Sequence, residues 1–296
     1  MLTSEKVKEV ARAAGADLVG IAPMERFEGA PKQFDPRYIF PDAQTMIVLG
    51  FRIPRGSLRG IEEGTFYVSY CGMGYAGINW ILQPMVIWQV NQFLEEEGYE
   101  AVPIPNCFPW CGISTQTGEL REGWSRPVSE DKPGPDVFVH LRIAAFAAGL
   151  GEIGYSKLLL TPEFGPRQRL ACLITDAPLE PDPLYEGPEL CDRCMLCARD
   201  CTGGAISTDE TVRITVAGRE VEWGKIDIAR CTESFQSPPP EHNPFLGDPS
   251  PVYWYGRALE GARGCMRACM VHLEEQGKLR KRFKRPFRVR KPWRIE

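Results

Sequence analysis

The chain has 296 residues, of which 43% are hydrophobic and 25% charged, with a formal net charge of −4, a composition typical of a soluble globular protein. Its most apolar stretch, VFVHLRIAAFAAGL, is interrupted by His140 and Arg142 and is shorter than the roughly 20 residues that a bilayer requires, so we expect no membrane partner. The first residues lack the apolar run of a signal peptide, so we expect a cytoplasmic protein whose eleven cysteines form no disulfide framework. Seven of them lie within residues 191–269, where metal binding is the better explanation.

The first half of the chain predicts strands separated by helices. Residues 1–50 predict a helix, a strand (DLVGIAP), a loop and a second strand (TMIVLGF). Residues 65–97 predict one or two helices, broken or kinked near Pro84, and EAVPIP predicts a short strand. This alternation indicates an α/β or α+β layered domain.

The second half continues the pattern and then changes character. Residues 136–150 predict an apolar helix that ends at Gly149 and Gly151, and YSKLLLTPEFGPRQRLACLITDAP predicts two strands joined by a turn at 162–166. The proline-rich stretch 176–189 predicts a domain boundary, and a cysteine-rich segment follows it.

Residues 191–201, CDRCMLCARDC, hold four cysteines at the spacing x2, x2, x3. Such a run supplies three thiolates to one [4Fe–4S] cluster from a single loop, and in two-cluster ferredoxins its fourth cysteine ligates the other cluster. Zinc sites usually show two separated pairs of ligands instead. The spacing therefore favours iron–sulfur over zinc.

Three cysteines later in the chain, Cys231, Cys265 and Cys269, are the further candidate cluster ligands. We assign one cluster to Cys191, Cys194, Cys197 and Cys269. The second is assigned to Cys201, Cys231 and Cys265, which leaves it one thiolate short.

Several motifs together resemble one enzyme superfamily. The runs GLGEIGYSKLLLTPEFGPRQRLACLITDAPLEPD and CDRCMLCARDCTGGAI, with TFYVSYCGMGYAGINW and EEEGYEAVPIP, are similar to the epoxyqueuosine reductase and reductive dehalogenase superfamily over about residues 5–270. The resemblance implies a nitroreductase-like α/β domain that holds a corrinoid (cobalamin), followed by a ferredoxin-like module with two [4Fe–4S] clusters. It also implies reductive removal of a hydroxyl, halide or similar group, with electrons passing from the clusters to cobalt.

The chain departs from the family pattern at the second cysteine motif. Ala262 stands where the family has a cysteine, Thr202 follows Cys201 in place of proline, and Met270 follows Cys269. The second cluster is therefore expected to be a [3Fe–4S] cluster, to borrow a non-cysteine ligand or to expose an open iron. Cys107 and Cys111 are candidates for the missing ligand, for a redox pair or for half-buried thiols, and we expect Cys71 and Cys172 to lie in the core.

The resemblance also directs attention to the pocket of the first domain. It implies acid–base residues near Asp136 and His140 and in the helical segment that holds Tyr75, and cofactor contacts from Tyr70 and Arg142. His140 also has a structural interpretation, as a satisfied helix histidine. Three glycines, Gly149, Gly151 and Gly154, suit a close backbone approach to a large planar cofactor or a helix end.

The C-terminal residues are strongly basic. From Lys278 to Glu296 there are ten Lys/Arg and one acid, a net charge of +9, which leaves −13 for the remainder. This segment suits an acidic protein partner or nucleic acid, or it packs its aromatic residues, Phe283, Phe287 and Trp293, onto the acidic body.

We therefore predict three parts: a nitroreductase-like cofactor and substrate domain (1–180), a ferredoxin-like iron–sulfur domain (181–275) and a basic arm (276–296). The predicted function is an oxidoreductase that takes low-potential electrons from a ferredoxin or flavodoxin and reductively cleaves a small-molecule substrate at a corrinoid. Two alternatives stay open: a non-catalytic electron carrier or reductive activator of a partner enzyme, and a corrinoid-free reductase that uses the irregular cluster or a flavin.

Overall fold

A computed structural model describes residues 2–106, 125–246 and 263–296 of the chain. The helices are α1 (Ser4–Ala14), α2 (Arg59–Glu62), a π-helix (Tyr70–Leu82), α3 (Gln83–Glu96), α4 (Leu141–Ala147), α5 (Leu196–Arg199), α6 (Ile228–Gln236) and α7 (Arg263–Glu275). The strands are β1 (Leu18–Pro23), β2 (Thr45–Arg52), β3 (Ala101–Ile104), β4 (Glu152–Ile153), β5 (Leu159–Leu160), β6 (Gln168–Thr175), β7 (Ile206–Val216) and β8 (Arg219–Ile226). Short 3-10 turns cover Met24–Phe27, Lys32–Phe34, Pro36–Tyr38, Arg55–Leu58 and Pro240–His242.

The centre of the fold is a four-stranded antiparallel sheet in the order β1-β2-β6-β3. Strand β2 lies in the middle, where Ile47 pairs with Ile21 on one side and Leu173 on the other. All its residues except Arg52 are buried, as expected for a strand covered on both faces.

Alternate residues of these strands face two separate cores, as the two-residue period of a strand requires. Ile47 and Leu49 join α1 and α3 on one face, whereas Met46 and Val48 join the alanines of α4 on the other. The chain therefore forms an α/β/α sandwich, which confirms the expected mixed layered fold.

Two expectations for residues 136–175 were only partly right. The helix begins at Leu141 rather than near Asp136, because Gln33 binds the preceding loop: its carbonyl accepts from the Phe138 N–H (2.9 Å) and its Nε2 donates to the Asp136 carbonyl (2.8 Å). Strand β5 pairs with β4 rather than with β6, although the turn expected at 162–166 is present as the Thr161–Gly165 bridge.

The cysteine-rich segment adds the β7–β8 hairpin and three helices, and it shares a core with the sheet. Met266, Met270 and Val271 of α7 and Phe287 of the basic arm belong to the same buried cluster as Ile47 of β2. Within the described residues, no helix is both long enough and apolar enough to cross a bilayer.

The basic arm (276–296) is fastened to the body through its aromatic residues. Phe287 is 1% exposed, and the Arg59 guanidinium lies 4.2 Å from its ring centre. The Trp293 indole donates to the Ile61 carbonyl (2.9 Å). Arg288 forms a two-point ion pair with Glu62. The arm therefore packs on the acidic body.

Phe287→Ala should lower the free energy of unfolding by about 3–5 kcal/mol, because it empties a fully buried ring position. Urea unfolding measures this value. Phe283→Ala is the matched control, since Phe283 is 46% exposed and mainly contacts Arg55, so its loss should cost about 1 kcal/mol or less. Equal losses in the two variants would contradict the anchoring of the arm.

Candidate functional site

The first cysteine set, Cys191, Cys194, Cys197 and Cys269, lines a single cavity. Three members come from the loop before α5 and its first turn, and Cys269 comes from α7, which packs against α5. Cys197 is buried and the other three are half-buried. The structure thus brings together the four residues that the sequence assigned to one cluster.

The backbone of this loop is wound tightly. Arg193 and Met195 both have positive φ, 55° and 62°, a conformation that costs a non-glycine residue about 1–2 kcal/mol. The Glu152 carboxylate accepts hydrogen bonds from the N–H groups of Leu190 (3.0 Å) and Cys191 and fixes the start of the loop. The Tyr155 N–H in turn donates to the Cys191 sulfur at 3.3 Å. Strain with such support is typical of a functional loop.

Burial makes thiolates unfavourable at this site when no cation is bound. It raises the pKa of Cys197 to about 12 and that of Cys269 well above its usual range, and neighbouring cysteines add to both shifts. A bound metal centre reverses this preference, because it neutralises the sulfurs and displaces their protons. The donor set therefore fits a cationic centre with thiolate ligands.

The spacing of the sulfurs argues against a preformed zinc site. Four thiolates around zinc, each about 2.3 Å from it, lie roughly 3.8 Å apart. Among the described residues, the one group of three potential ligand atoms within 4.8 Å of one another is Asp192, Cys194 and His272, and no three cysteine sulfurs form such a group. Asp192 and His272 are already joined by a 2.7 Å hydrogen bond. The described cysteine sulfurs therefore do not form a group at the distances of a zinc site.

The second cysteine set, Cys201, Cys231 and Cys265, lies beside the first. Cys201 is buried, and its sulfur accepts a hydrogen bond from the Ala205 N–H at 3.4 Å. Cys231 of α6 and Cys265 of α7 pack against the hydrophobic cluster of buried residues that contains Cys201. The positions that bear on a fourth ligand, Cys107, Cys111 and Ala262, lie outside the described residues. Three of the expected ligands are together here.

A group of basic side chains adjoins the second set, and we call Arg142, Lys157 and Arg169 the cationic cluster. The two cysteines Cys231 and Cys265 favour the charged form of Arg142, but burial outweighs them and lowers its pKa. Arg142 donates to the Lys157 carbonyl at 3.1 Å, and Arg169 repels it electrostatically. The cluster therefore joins the cysteines to the domain built around the sheet.

The two tyrosines lie against this cluster in different ways. Tyr70 is fully buried and its hydroxyl accepts from Arg169 at 3.0 Å, so it positions that guanidinium rather than presenting a surface to a ligand. Tyr75 is half-buried, its ring lies 4.4 Å from the Arg169 guanidinium and 5.7 Å from the ring of Phe235. Phe235 and Cys231 are one turn apart on α6, so Tyr75 lies close to the second set.

His140 lies at the start of α4, where burial and the nearby charges of Lys157 and Arg142 lower its pKa to about 3. Its Nδ1 is buried without a hydrogen-bond partner among the described residues, as is the Nε of Arg169. The expectation of a satisfied helix histidine is therefore wrong for this nitrogen. Asp136 lies in the loop before α4, tied through its backbone carbonyl to Gln33.

The three glycines have different roles. A Cβ at Gly149 would lie 2.0 Å from the Pro183 carbonyl oxygen, and one at Gly151 would lie 1.9 Å from that of Leu160. These two glycines therefore allow other backbone segments of the protein itself to pass close by. Gly149 also ends α4 with a φ of +73°. At Gly154 a Cβ would lie 3.7 Å from the Cys191 sulfur, beside the first set.

Sequence reasoning missed Lys157, Arg169 and the Asp192–His272 pair. Lys157 and Arg169 stand within conspicuous runs, SKLLL and RQRL, but no spacing rule shows that they face Arg142. The expectation that Cys71 and Cys172 are core residues is confirmed, since they are 1% and 0% exposed.

Comparison with known proteins gives consistent relatives. No family model matches the chain. A tetrachloroethene reductive dehalogenase of Dehalobacter restrictus is 30% identical over 236 residues, 71% of this chain and 40% of that protein. An epoxyqueuosine reductase of Bacillus cereus is 25% identical over 206 residues, 68% of this chain and 42% of that protein. The chain thus spans about 40% of the length of these relatives.

Solved structures agree on the fold. A catabolic reductive dehalogenase in complex with 3-bromo-4-hydroxybenzoic acid superimposes with a TM-score of 0.55 at 22% identity, covering 90% of this chain and 31% of that one. A further reductive dehalogenase structure gives 0.54 over 78% of this chain and 29% of that one, also at 22% identity. Together with the cysteine sets and the shared motifs, these relatives identify the chain as a member of the reductive dehalogenase and epoxyqueuosine reductase superfamily.

Proposed function

We propose that this protein is an iron–sulfur reductase whose two cysteine sets each hold a cluster. The observation that carries the proposal is that four cysteines from two segments line one cavity, directly beside a further three. Cysteine thiolates in this number and spacing suit [4Fe–4S] clusters, which transfer single electrons. The second cluster, with three cysteines, is irregular or takes a fourth ligand of another kind.

Electrons would leave the second cluster toward the cationic cluster and Tyr75. Cys231 and Cys265 interact electrostatically with Arg142, and the ring of Phe235, one turn from Cys231 on α6, contacts the ring of Tyr75. The buried Arg169 Nε and His140 Nδ1, which have no partner among the described residues, would suit hydrogen bonds to a bound polar molecule. A low-potential ferredoxin or flavodoxin is the electron donor that we propose.

A corrinoid fits this proposal as the centre that receives the electrons. One relative's structure is described as suggesting a mechanism for B12-dependent dehalogenation, and a bound corrinoid would supply a strongly reducing cobalt. In this chain, Tyr75, Arg142 and Arg169 would hold such a group. Their positive charge is suited to the amide and phosphate oxygens of a large polar cofactor.

The substrate class that we propose is a small molecule with a group that departs as an anion. The named relatives are reductases of tetrachloroethene and of epoxyqueuosine, and an aryl halide is bound to a further one. Three half-buried cations in a space of low dielectric would stabilise the negative charge on a departing group. The same cations would favour a substrate that carries a carboxylate or phenolate.

Lys157 is a better proton donor than His140. Burial and the charge of Arg142 lower the pKa of Lys157 to about 8, near the pH at which a general acid works well. His140, with a pKa of about 3, is neutral at physiological pH and has no imidazolium proton to give. We therefore assign the proton to the Lys157 ammonium and a structural role to His140.

The cluster assignment predicts the effect of removing one ligand. Cys197→Ser should lower the iron content by roughly the four atoms of one cluster, because the first set loses a buried thiolate. Iron analysis and EPR of anaerobically purified protein measure this. Cys172→Ser is the matched control, a buried cysteine on β6 outside both sets, and should keep its iron. Equal iron in the two variants, or zinc in the wild type, would contradict the assignment.

The charge state of His140 is directly measurable. Its folded pKa of about 3 lies below the ordinary 6.5, so its contribution to stability is full above pH 6.5 and is lost as the pH falls toward 3. The chain has three histidines, which nitrogen NMR of the imidazoles distinguishes. At about pH 5, where a free histidine is mostly protonated, His140 should still be neutral. An imidazolium signal that follows the ordinary titration would exclude this environment.

Lys157→Gln should reduce turnover by a factor of about 100 or more, as the loss of a general acid does. The assay uses protein loaded with hydroxocobalamin, a reductant, and 3-bromo-4-hydroxybenzoate or tetrachloroethene, with released halide measured by ion chromatography. Lys225→Gln, at an exposed lysine of β8, should leave turnover unchanged. Unchanged turnover in Lys157→Gln would remove this residue from the reaction, and no halide release by wild type would favour a different leaving group.

A further inference from the structure

The basic arm follows the cysteine sets along one side of the molecule. The Lys278 ammonium donates to the Leu190 carbonyl at 3.0 Å, immediately before Cys191 in the chain. Further along, Arg288 donates to Asp200 at 3.0 Å, immediately before Cys201. The arm thus contacts the residue that precedes the first cysteine of each set.

The arm is a fixed surface rather than a free tail. Phe287 and Leu279 are buried, the Arg55 guanidinium donates to the Arg285 carbonyl at 3.1 Å, and the Arg280 N–H donates to the Pro162 carbonyl at 2.8 Å. Near its end, the Ile295 N–H donates to the Glu241 carbonyl at 2.9 Å. Contacts at five points along about 20 residues hold its charges in a constant arrangement.

Only some of these charges are neutralised. Arg288 pairs with Glu62, Arg280 with Glu163 and Arg290 with Glu63. The remaining exposed basic residues of the arm have no carboxylate partner within residues 2–106, 125–246 and 263–296: Lys281, Arg282, Lys284, Arg285, Lys291 and Arg294. Because these charges do not stabilise the fold through ion pairs, they are free to meet the charges of a partner.

The unpaired charges extend to the second cysteine set. A cavity of about 300 Å³ opens between the arm and the cysteine-rich segment. Its wall includes Cys201 and, around it, the basic residues Arg199, Lys291 and Arg294. A partner held by these side chains would therefore come close to a proposed electron-accepting centre.

The aromatic residues distinguish between two kinds of acidic partner. Single-stranded nucleic acid is held by exposed aromatic faces on which bases stack. In this arm Phe287 is buried, Trp293 packs on Gly64, and the Arg55 guanidinium covers the Phe283 ring at 3.6 Å. What remains available is charge, which suits the acidic surface of a protein.

We propose that the basic arm is the docking surface for an acidic electron-carrier protein. The inference rests on the proposed iron–sulfur function and adds the surface through which electrons enter. One electron leaves the reduced centre of the carrier and one cluster is reduced by one electron, with no bond made or broken. The −13 charge of the rest of the chain opposes the +9 of the arm, so the arm is the region toward which an acidic carrier is steered.

The test neutralises unpaired charges of the arm without touching its anchors. The variant Lys284→Gln, Lys291→Gln, Arg294→Gln is compared with a control of equal charge change at exposed sites elsewhere. The control carries Lys6→Gln, Arg12→Gln and Lys225→Gln. Stopped-flow absorbance follows cluster bleaching by a reduced acidic [2Fe–2S] ferredoxin, and biolayer interferometry measures binding of the oxidised ferredoxin.

The arm variant should be reduced about tenfold more slowly at low salt and should bind about tenfold more weakly, while the control matches the wild type. The difference should vanish near 0.5 M salt, where surface charges are screened, and dithionite should reduce all three proteins equally. Equal rates and affinities in the two variants would overturn the proposal. So would competition by a single-stranded DNA of about 20 nucleotides that binds the arm more tightly than ferredoxin.

Failure of the proposed function has a different signature. A colourless wild type that dithionite does not bleach would show that the clusters are absent. The interferometry still decides the docking proposal in that case, because binding of the oxidised ferredoxin requires only the arm.

Discussion

The structure depends on bringing together seven cysteines, two of them buried and five half-buried. Burial raises the pKa of Cys197 and Cys269, so without a bound cation these two thiols keep their protons. A buried set of thiolates is stable only around a cationic centre, so the folded arrangement of the loop and a bound metal support each other. Helix α7 shows this dependence most directly, because Cys265 and Cys269, one turn apart, serve different sets while its other residues complete the main core.

A second constraint follows from the first. Cys231 and Cys265 of the second set favour the charged form of Arg142, whereas burial and the nearby Arg169 disfavour it. Burial, together with the charges of Lys157 and Arg142, lowers the pKa of His140 to about 3, and burial with the charge of Arg142 lowers the pKa of Lys157 to about 8. The electron-accepting side and the proton-donating side of the proposed reaction are therefore linked through one small group of charges.

Much of this could be predicted from the sequence because its signals are local. The x2, x2 spacing of Cys191–Cys197 places three cysteines in one loop, and the continuous apolar run TMIVLGF predicts strand β2. The structure also places Cys269, which is distant in the sequence, at the cavity lined by these three cysteines. The facing of Lys157 and Arg169 toward Arg142 depends on the pairing of β4 with β5 and on the burial of Tyr70, which no local pattern specifies. The late start of α4 depends on Gln33, more than 100 residues away, for the same reason.

The most direct measurement is the metal and acid-labile sulfide content of protein purified without oxygen. The account predicts a brown protein with iron and sulfide in nearly equal amounts, about seven or eight of each per chain, and no stoichiometric zinc. About four iron and four sulfide per chain would mean that only the first cysteine set holds a cluster, and would contradict a second cluster. Protein that holds zinc, or no metal at all, would contradict the whole account.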